Sequence, residues 1–313
     1  MTFEKSLNRE SFDTKRKFGV EIEFISKISQ CNAVAKINDY LKAKQAEGNP
    51  VADFRFESVY YSDSSNTWRI KTDSSIRDTS DYPYGLELVT PVLHGEADYE
   101  RLKLAIEAIN TSLYENVNGL DRWTSANRSC GLHVHVGIEN WKIGNFKNLF
   151  KRYAKFQKTI DSLLPHSRRE NKGNYCKSNW DLDGQLSEIF SQINKVRTTS
   201  KLKSLHNNYT RYVKLNLQSF WKHGTIEFRQ HSGTVDMEKI INWLKVCMAM
   251  VECGDAKRAI RLNNNPFEKL NDNNYDVKTF FNGLSKGSDL INTKLRLFYN
   301  RRVKSLENNR SGY

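Results

Sequence analysis

The 313-residue chain contains no apolar run approaching the roughly 18 residues that a membrane-spanning helix requires. Its opening stretch, MTFEKSLNRESFDTKRKFG, lacks the apolar centre of a secretory signal. These absences argue against a helical membrane protein and lead to the expectation of a cytoplasmic one. The five cysteines (Cys31, Cys130, Cys176, Cys247, Cys253) are odd in number and scattered, with no CxxC pair. Neither a disulfide framework nor a zinc ribbon follows from that spacing, and a reducing compartment fits it. There is no internal repeat, and no low-complexity segment beyond Asn clusters at 263–265 and 271–274. Acidic residues are also in short supply, 36 against 49 Lys and Arg, for a net charge of +13. Basic clusters at Thr14–Lys17, Ser167–Lys172 and Arg301–Lys304 belong to this excess. Such a field attracts polyanions (nucleotides, nucleic acid, acidic polymers), although a merely solvated basic surface accounts for it equally well.

What is present is organised by periodicity. FGVEIEFI, Phe18 to Ile25, alternates as a strand, with Glu21 and Glu23 on one face and Val20, Ile22 and Phe24 on the other. Residues Ser29–Gly48 lean helical. SVYYSDSSNTWRIKTDSSI reads as a hairpin turning at Asp63–Asn66, and GLELVTPVL as a strand ended by Pro91. An amphipathic helix is predicted over Tyr99–Tyr114, a strand over Cys130–Ile138, and a long helix over Ile143–Leu164 stopped by Pro165. A further helix spans Leu186 to Val196. YVKLNLQSF and GTIEFRQHSG form a second hairpin around WKHG, and Asp236 caps the helix carrying Ile240, Leu244, Cys247 and Val251. One more helix is expected near Leu290–Leu306. Because each strand is amphipathic rather than apolar throughout, the fold is α+β, an antiparallel or mixed sheet with helices on one face. The expected boundaries are a polar arm at 1–17, a main domain at 18–255, and a basic helical extension of that domain at 256–313.

Four strands repeat one device. Glu21 with Glu23, Glu87, His133 with His135, and Glu227 with Arg229 and His231 stand at spacing two, and the intervening positions are apolar. If Val20, Ile22, Leu86, Leu88, Leu132, Val134, Ile226 and Phe228 form the core face, the opposite face gathers acids, imidazoles and a guanidinium. Taken singly, each pair has an ordinary explanation: surface decoration, or a cross-strand ion pair. Together they describe a site. Four carboxylates repel one another unless cations compensate, and carboxylate oxygens with imidazole suit Mg²⁺ or Mn²⁺ better than zinc. Arg229 among acids is then explained as a bidentate phosphate clamp, and metals with an arginine point to a nucleoside triphosphate.

The motifs FGVEIEF, WRIKTDSSI, LELVTPVL, CGLHVHVG, SRRENKGNYC, RYVKLNL and GTIEFRQHSGT, in that order, resemble those of the amidoligase family. This family is a phage- and bacteria-associated branch of the superfamily that includes glutamine synthetase and glutamate–cysteine ligase. The resemblance covers Phe18 to Val251. It implies an antiparallel sheet curved into a half-barrel with helices on its outer face, ATP with Mg²⁺ (or Mn²⁺), and amide formation through an acyl phosphate in a bacterial host cytoplasm. By the same resemblance Glu21, Glu23, Glu87, Glu227 and one of His133 and His135 correspond to metal ligands. Arg229 corresponds to the arginine that steadies the transferred phosphoryl group. Asp73 lies near the substrate, and Arg168, Arg169, Asn174 and Tyr175 resemble a lid. Of these, Arg168 and Arg169 are assigned with Asn216 to the nucleotide, and Asn174 and Tyr175 with His231 to the substrate.

The chemistry accounts for the groups. A carboxylate does not acylate an amine at neutral pH, and phosphorylation gives it a leaving group. Bringing its anion against a triphosphate requires metal ions and a guanidinium. Asp73 or Glu87 would accept the amine's proton. The partners are therefore ATP, a carboxylate (glutamate or a protein side chain) and an amine, with a polyanionic macromolecule admitted by the charge. Two other readings compete. A metal-dependent hydrolase or nuclease would use the same ligands to activate water, but no HxxxH or HxHxDH run supports it and Arg229 would be less needed. A non-enzymatic nucleic-acid-binding protein would use the aromatic and basic residues, but leaves the polar strand faces unexplained.

Overall fold

The computed structural model describes residues 12, 15–59, 66–113, 122–255, 260 and 276–308. Its centre is an open, curved, eight-stranded sheet. Strands β1 (Phe18–Ser26), β2 (Phe56–Ser58), β3 (Trp68–Thr72), β4 (Tyr84–Val89), β5 (Thr124–Ser125), β6 (Gly131–Gly137), β7 (Leu215–Asn216) and β8 (Thr225–Ser232) are arranged β2-β3-β4-β1-β6-β8-β7, with β5 pairing to β1. The strand alternation predicts the apolar face correctly. Val20, Ile22, Leu86, Leu88, Leu132, Val134, Ile226 and Phe228 are all buried in one continuous core.

The helices are α1 (Gln30–Ala46), α2 (Gly95–Ser112), α3 (Ile143–Ser162), α4 (Leu186–Lys195), α5 (Thr199–Lys203), α6 (Ser219–His223), α7 (Met237–Asp255), α8 (Val277–Leu284) and α9 (Thr293–Asn308), of which α1 packs against β2 and β3, α7 against β6, and α3 against α7. The helix starts follow local chemistry. The Ser29 hydroxyl accepts from the Asn32 amide at the start of α1, and Asp236 Oδ1 accepts from the Lys239 amide at 3.1 Å at the start of α7, as its cap position predicts. α3 and α7 form the deepest layer, both lined by buried side chains such as Tyr153, Phe150, Trp243 and Met248. α8 and α9 pack onto them through Phe280 against Phe156 and through Arg302 Nε donating to the Leu163 carbonyl at 2.9 Å. From the N-terminal segment, Phe12 stacks on Tyr99 with ring centroids 4.3 Å apart.

Several local expectations need correction. β2 and β3 run parallel, Phe56 opposite Trp68 and Ser58 opposite Ile70, so the segment is not an antiparallel hairpin. Most of its expected turn lies outside the described residues. YVKLNLQSF is extended only at Leu215–Asn216 and then turns into the short helix α6, because Ser219 Oγ donates to the Asn216 and Thr225 carbonyls and folds the chain back early. The Tyr99–Tyr114 helix begins one turn earlier, at Gly95, and its expected end at Tyr114 lies outside the described residues. α5 and α8 were not anticipated, and the Asn clusters lie outside the described residues. No helix among the described residues is long and apolar enough to cross a membrane.

Candidate active site

The register across the sheet brings the polar face together. Glu23 lies opposite Glu87, and Lys71 opposite Glu87 on the other side. Glu21 lies opposite His133, His135 opposite Glu227, and Asn216 opposite Glu227. Residues facing each other in an antiparallel pair share a face, so four strands that are distant in sequence deliver one cluster.

His133 is its hub. Nδ1 is 3.0 Å from Glu21 Oε2 and 3.9 Å from Glu227 Oε1, while Nε2 is 3.6 Å from Glu23 Oε1. His135 Nε2 lies 3.4 Å from Glu21 Oε1 and 3.8 Å from Glu227 Oε1, and its Nδ1 is 3.0 Å from Thr225 Oγ1. Glu23 Oε2 accepts the Gly131 amide at 2.6 Å, and Asn216 Nδ2 donates to Glu227 Oε2 at 2.6 Å. Arg229 Nη1 pairs with Glu227 Oε1, and Arg229 Nε donates to the Tyr175 carbonyl at 3.5 Å. Gly131 keeps this space open: a Cβ there would lie 2.7 Å from His133 Nε2 and 3.4 Å from Glu23 Oε2.

The ionisation of the cluster follows from burial set against neighbouring charge. Burial pushes the Glu21 carboxyl up, but hydrogen bonds from His133 and His135 outweigh it and hold Glu21 well below the usual carboxylate range. Burial and the Glu21 charge drive Glu87 well above that range, against Lys71, whose Nζ is 2.6 Å from Glu87 Oε2. At Glu227 the opposing charges of Arg229 and His135 overcome burial and lower the carboxyl. Burial lowers His135, but Glu227 and Glu21 outweigh it and raise the imidazole. Lys71 was absent from the sequence reading although it obeys the same alternation, Trp68 and Ile70 inward and Arg69 and Lys71 outward.

Two sets of donor atoms each converge within 4.8 Å, Glu21 with His133 and Glu227, and Glu23 with Glu87 and His133. Ligands on opposite sides of one Mg²⁺ or Ca²⁺ are ~4–5 Å apart, so each set has the spacing and the hard oxygen-rich chemistry of a divalent-cation site.

Other expected residues lie elsewhere. His231 does not share a face with Glu227 and Arg229. Leu132 is opposite His231 but Val134 is opposite Phe228, so β8 carries one extra residue, a bulge that turns both Gln230 and His231 toward the helices. There His231 packs 5.3 Å from the Trp243 ring, and burial drives its pKa down to about 3. The Arg168 guanidinium is buried, bonded to the Cys130 and Arg128 carbonyls. Arg169 binds the Leu164 and Ser162 carbonyls at the end of α3. Both arginines therefore face backbone carbonyls rather than an open lid. Asn174 and Tyr175 are exposed, above Arg229. Asp73 is half-buried just beyond β3, and its Oδ1 accepts the Ser75 amide at 2.7 Å. A separate groove of about 1030 Å³ between α2 and the start of α7, floored by Tyr99, Leu104 and Ile241, contains none of these groups.

A family model described as "Putative amidoligase enzyme" matches residues 14–251. The chain belongs to this amidoligase family. No curated protein sequence matches it. Among solved structures, a bifunctional glutathione synthetase from Pasteurella multocida is similar at 11% identity and a TM-score of 0.41, covering 94% of this chain and 48% of that one. The complex between the prokaryotic ubiquitin-like protein Pup and its ligase PafA aligns at 9% identity and a TM-score of 0.38, over 94% of this chain and 65% of that one. Plasmodium falciparum glutamine synthetase aligns at 11% and 0.38, over 96% and 73%. This chain thus spans less than two thirds of the length of the first two.

Proposed function

We propose that the protein is an ATP- and Mg²⁺-dependent carboxylate–amine ligase that works through an acyl phosphate. The observation that carries this reading is the pair of donor sets sharing His133, with Arg229 beside them. Glu21, His133 and Glu227 would hold one cation, and Glu23, Glu87 and His133 a second. Bound there, the metal ions neutralise the triphosphate and the charge that develops during phosphoryl transfer.

The chain's own residues then have distinct tasks. Arg229 has one amino group on Glu227 and its Nε on the Tyr175 carbonyl, and among the described residues Nη2 has no partner. That group would donate to a phosphoryl oxygen. Asn216 and Arg229 together fix Glu227 from both sides, and Lys71 restrains Glu87. The γ-phosphoryl passes to a carboxylate oxygen and ADP leaves. The amine nitrogen then attacks the acyl carbon, the C–N bond forms, and phosphate departs with the C–O bond electrons. The amine's proton goes to Asp73, because Glu87 is committed to the second donor set and Asp73 is the half-exposed acid beyond Lys71.

Incubation with Mg·ATP and pooled amino acids and amines, reading ADP release and identifying products by mass, tests the proposal. Asp73→Asn should retain acyl-phosphate formation, detected by hydroxylamine trapping, and lose amide formation. Mg²⁺-dependent cleavage of a substrate with no nucleotide requirement would replace the ligase reading by a hydrolase.

A further inference from the structure

The sheet ends at β7, and the chain around that edge has an unusual composition. From Ile189 to Ile226 there is no Asp or Glu over 38 residues, while Lys195, Arg197, Lys201, Lys203, Arg211, Lys214 and Lys222 fall within it. Lys214 is buried, but Lys201, Arg211 and Lys222 are exposed and Lys203 half-exposed, and exposed Lys177 joins them through its backbone bridge to Val213. Among the described residues none of these five surface cations forms an ion pair.

Large aromatic side chains are exposed at the same edge: Tyr175 at 44%, Tyr209 at 67%, Tyr212 at 37% and Trp221 at 46%. They are joined to the cations and to one another. The Arg211 guanidinium lies 5.0 Å from the Tyr212 ring centre, Lys203 Nζ 5.0 Å from that of Trp221, and Tyr175 meets Tyr212 edge-on at 5.4 Å. Gln218, at the start of α6, binds the Tyr209 carbonyl. This rim adjoins the active site: Arg229 reaches the Tyr175 carbonyl, and His223 at the end of α6 lies 5.8 Å from the His135 ring.

Exposed Tyr, Trp and Arg set among unpaired cations form a surface that recognises an anionic chain, with the aromatics supplying packed area and the cations its orientation. We propose that the β7 rim docks an acidic polypeptide, and that a carboxylate of that polypeptide is the group the neighbouring site activates. This rests on the ligase reading above. A single-stranded nucleic acid would also suit stacking residues and cations, but it brings no carboxylate to a site that needs one.

Fluorescence anisotropy with a fluorescein-labelled peptide of alternating Glu and Gly tests the rim, and a fluorescent ATP analogue with Mg²⁺ tests the ligase site on the same samples. Lys203→Glu/Arg211→Glu should weaken peptide binding about tenfold or more, as expected when two interface anchors are lost, and leave Mg·nucleotide binding unchanged. Arg301→Glu/Lys304→Glu on α9 makes the same change in net charge and should alter peptide affinity less than about twofold. Trp221→Ala, which changes no charge, should also weaken the peptide. Equal weakening by both charge-reversed pairs would reduce the rim to a net-charge effect and overturn the proposal. So would tighter binding of oligo(dT), with that affinity lost in the rim variant. Loss of nucleotide binding in the wild-type protein, with peptide binding intact, would instead remove the ligase reading.

Discussion

Lys214→Met perturbs a buried ion pair whose magnitude can be worked from its geometry. Lys214 Nζ lies 2.6 and 2.7 Å from the two oxygens of Asp161 on α3, and the two side chains are 0% and 7% exposed. At an effective dielectric constant near 20 their attraction is about 6 kcal/mol, which roughly offsets a desolvation cost of several kcal/mol per ion. The intact pair is therefore near neutral for stability, but a carboxylate left alone there should cost about 3–5 kcal/mol. For a protein of this size that corresponds to a fall in Tm of roughly 5–15 °C. Lys214→Met/Asp161→Asn, which removes both charges and keeps an acceptor for the Glu170 amide, should recover at least about half of the loss.

The deficit also has a sign with pH. Burial already raises the Asp161 carboxyl, and the Lys214 charge holds it down. Without Lys214 it rises further. A group whose pKa is higher folded than unfolded contributes stability that is fully present below the unfolded value and lost as pH climbs through the folded one. The Tm gap between Lys214→Met and wild type should therefore be narrow near pH 5 and wide near pH 8, by differential scanning calorimetry. A gap that does not change with pH, or none at all, would refute the argument that an uncompensated buried carboxylate is responsible. The same pair also bears on the active site. The Lys214 carbonyl accepts the Arg229 amide at 2.8 Å, and Asp161 accepts from Gln230 next in sequence, so nucleotide binding should weaken with the fold.

Three further outcomes are expected. Mg²⁺ at about a hundred times its Kd should stabilise the protein by about 2.7 kcal/mol, with EDTA reversing the rise in Tm; no response to Mg²⁺ would remove the donor sets from consideration as metal sites. Gly131→Ala should abolish that Mg²⁺-dependent rise while leaving the far-ultraviolet spectrum unchanged, because the new Cβ would lie 2.7 Å from His133 Nε2. Arg229→Lys should lower ATP-dependent turnover by about a hundredfold, measured as ADP release; near-normal turnover would take Arg229 out of phosphoryl transfer.

The polar sheet face was legible because strand alternation has period two and depends on nothing remote: once Val20, Ile22 and Phe24 turn inward, Glu21 and Glu23 must turn outward. The same rule failed at His231. The one-residue bulge in β8 arises where β8 meets β6, and nothing in GTIEFRQHSG announces it. Arg168 and Arg169 misled for a related reason. A guanidinium looks alike in sequence whether it will face a phosphate or the carbonyls at the end of a helix, and the path of the chain decides which. Lys71 was legible in principle, since it follows the alternation, but its importance depends on Glu87 lying opposite.

By itself the sequence determined that Val20, Ile22, Leu86, Leu88, Leu132, Val134, Ile226 and Phe228 face inward with the acids and imidazoles between them facing away, where α7 begins, and the order of motifs that marks the family. Those properties follow from local periodicity and capping. Tertiary structure alone decided that His133 stands between two carboxylate sets, that β2 runs parallel to β3, and that the cations and aromatics of the β7 edge border the polar sheet face. Each depends on strand order and register, set by packing between segments far apart in the chain.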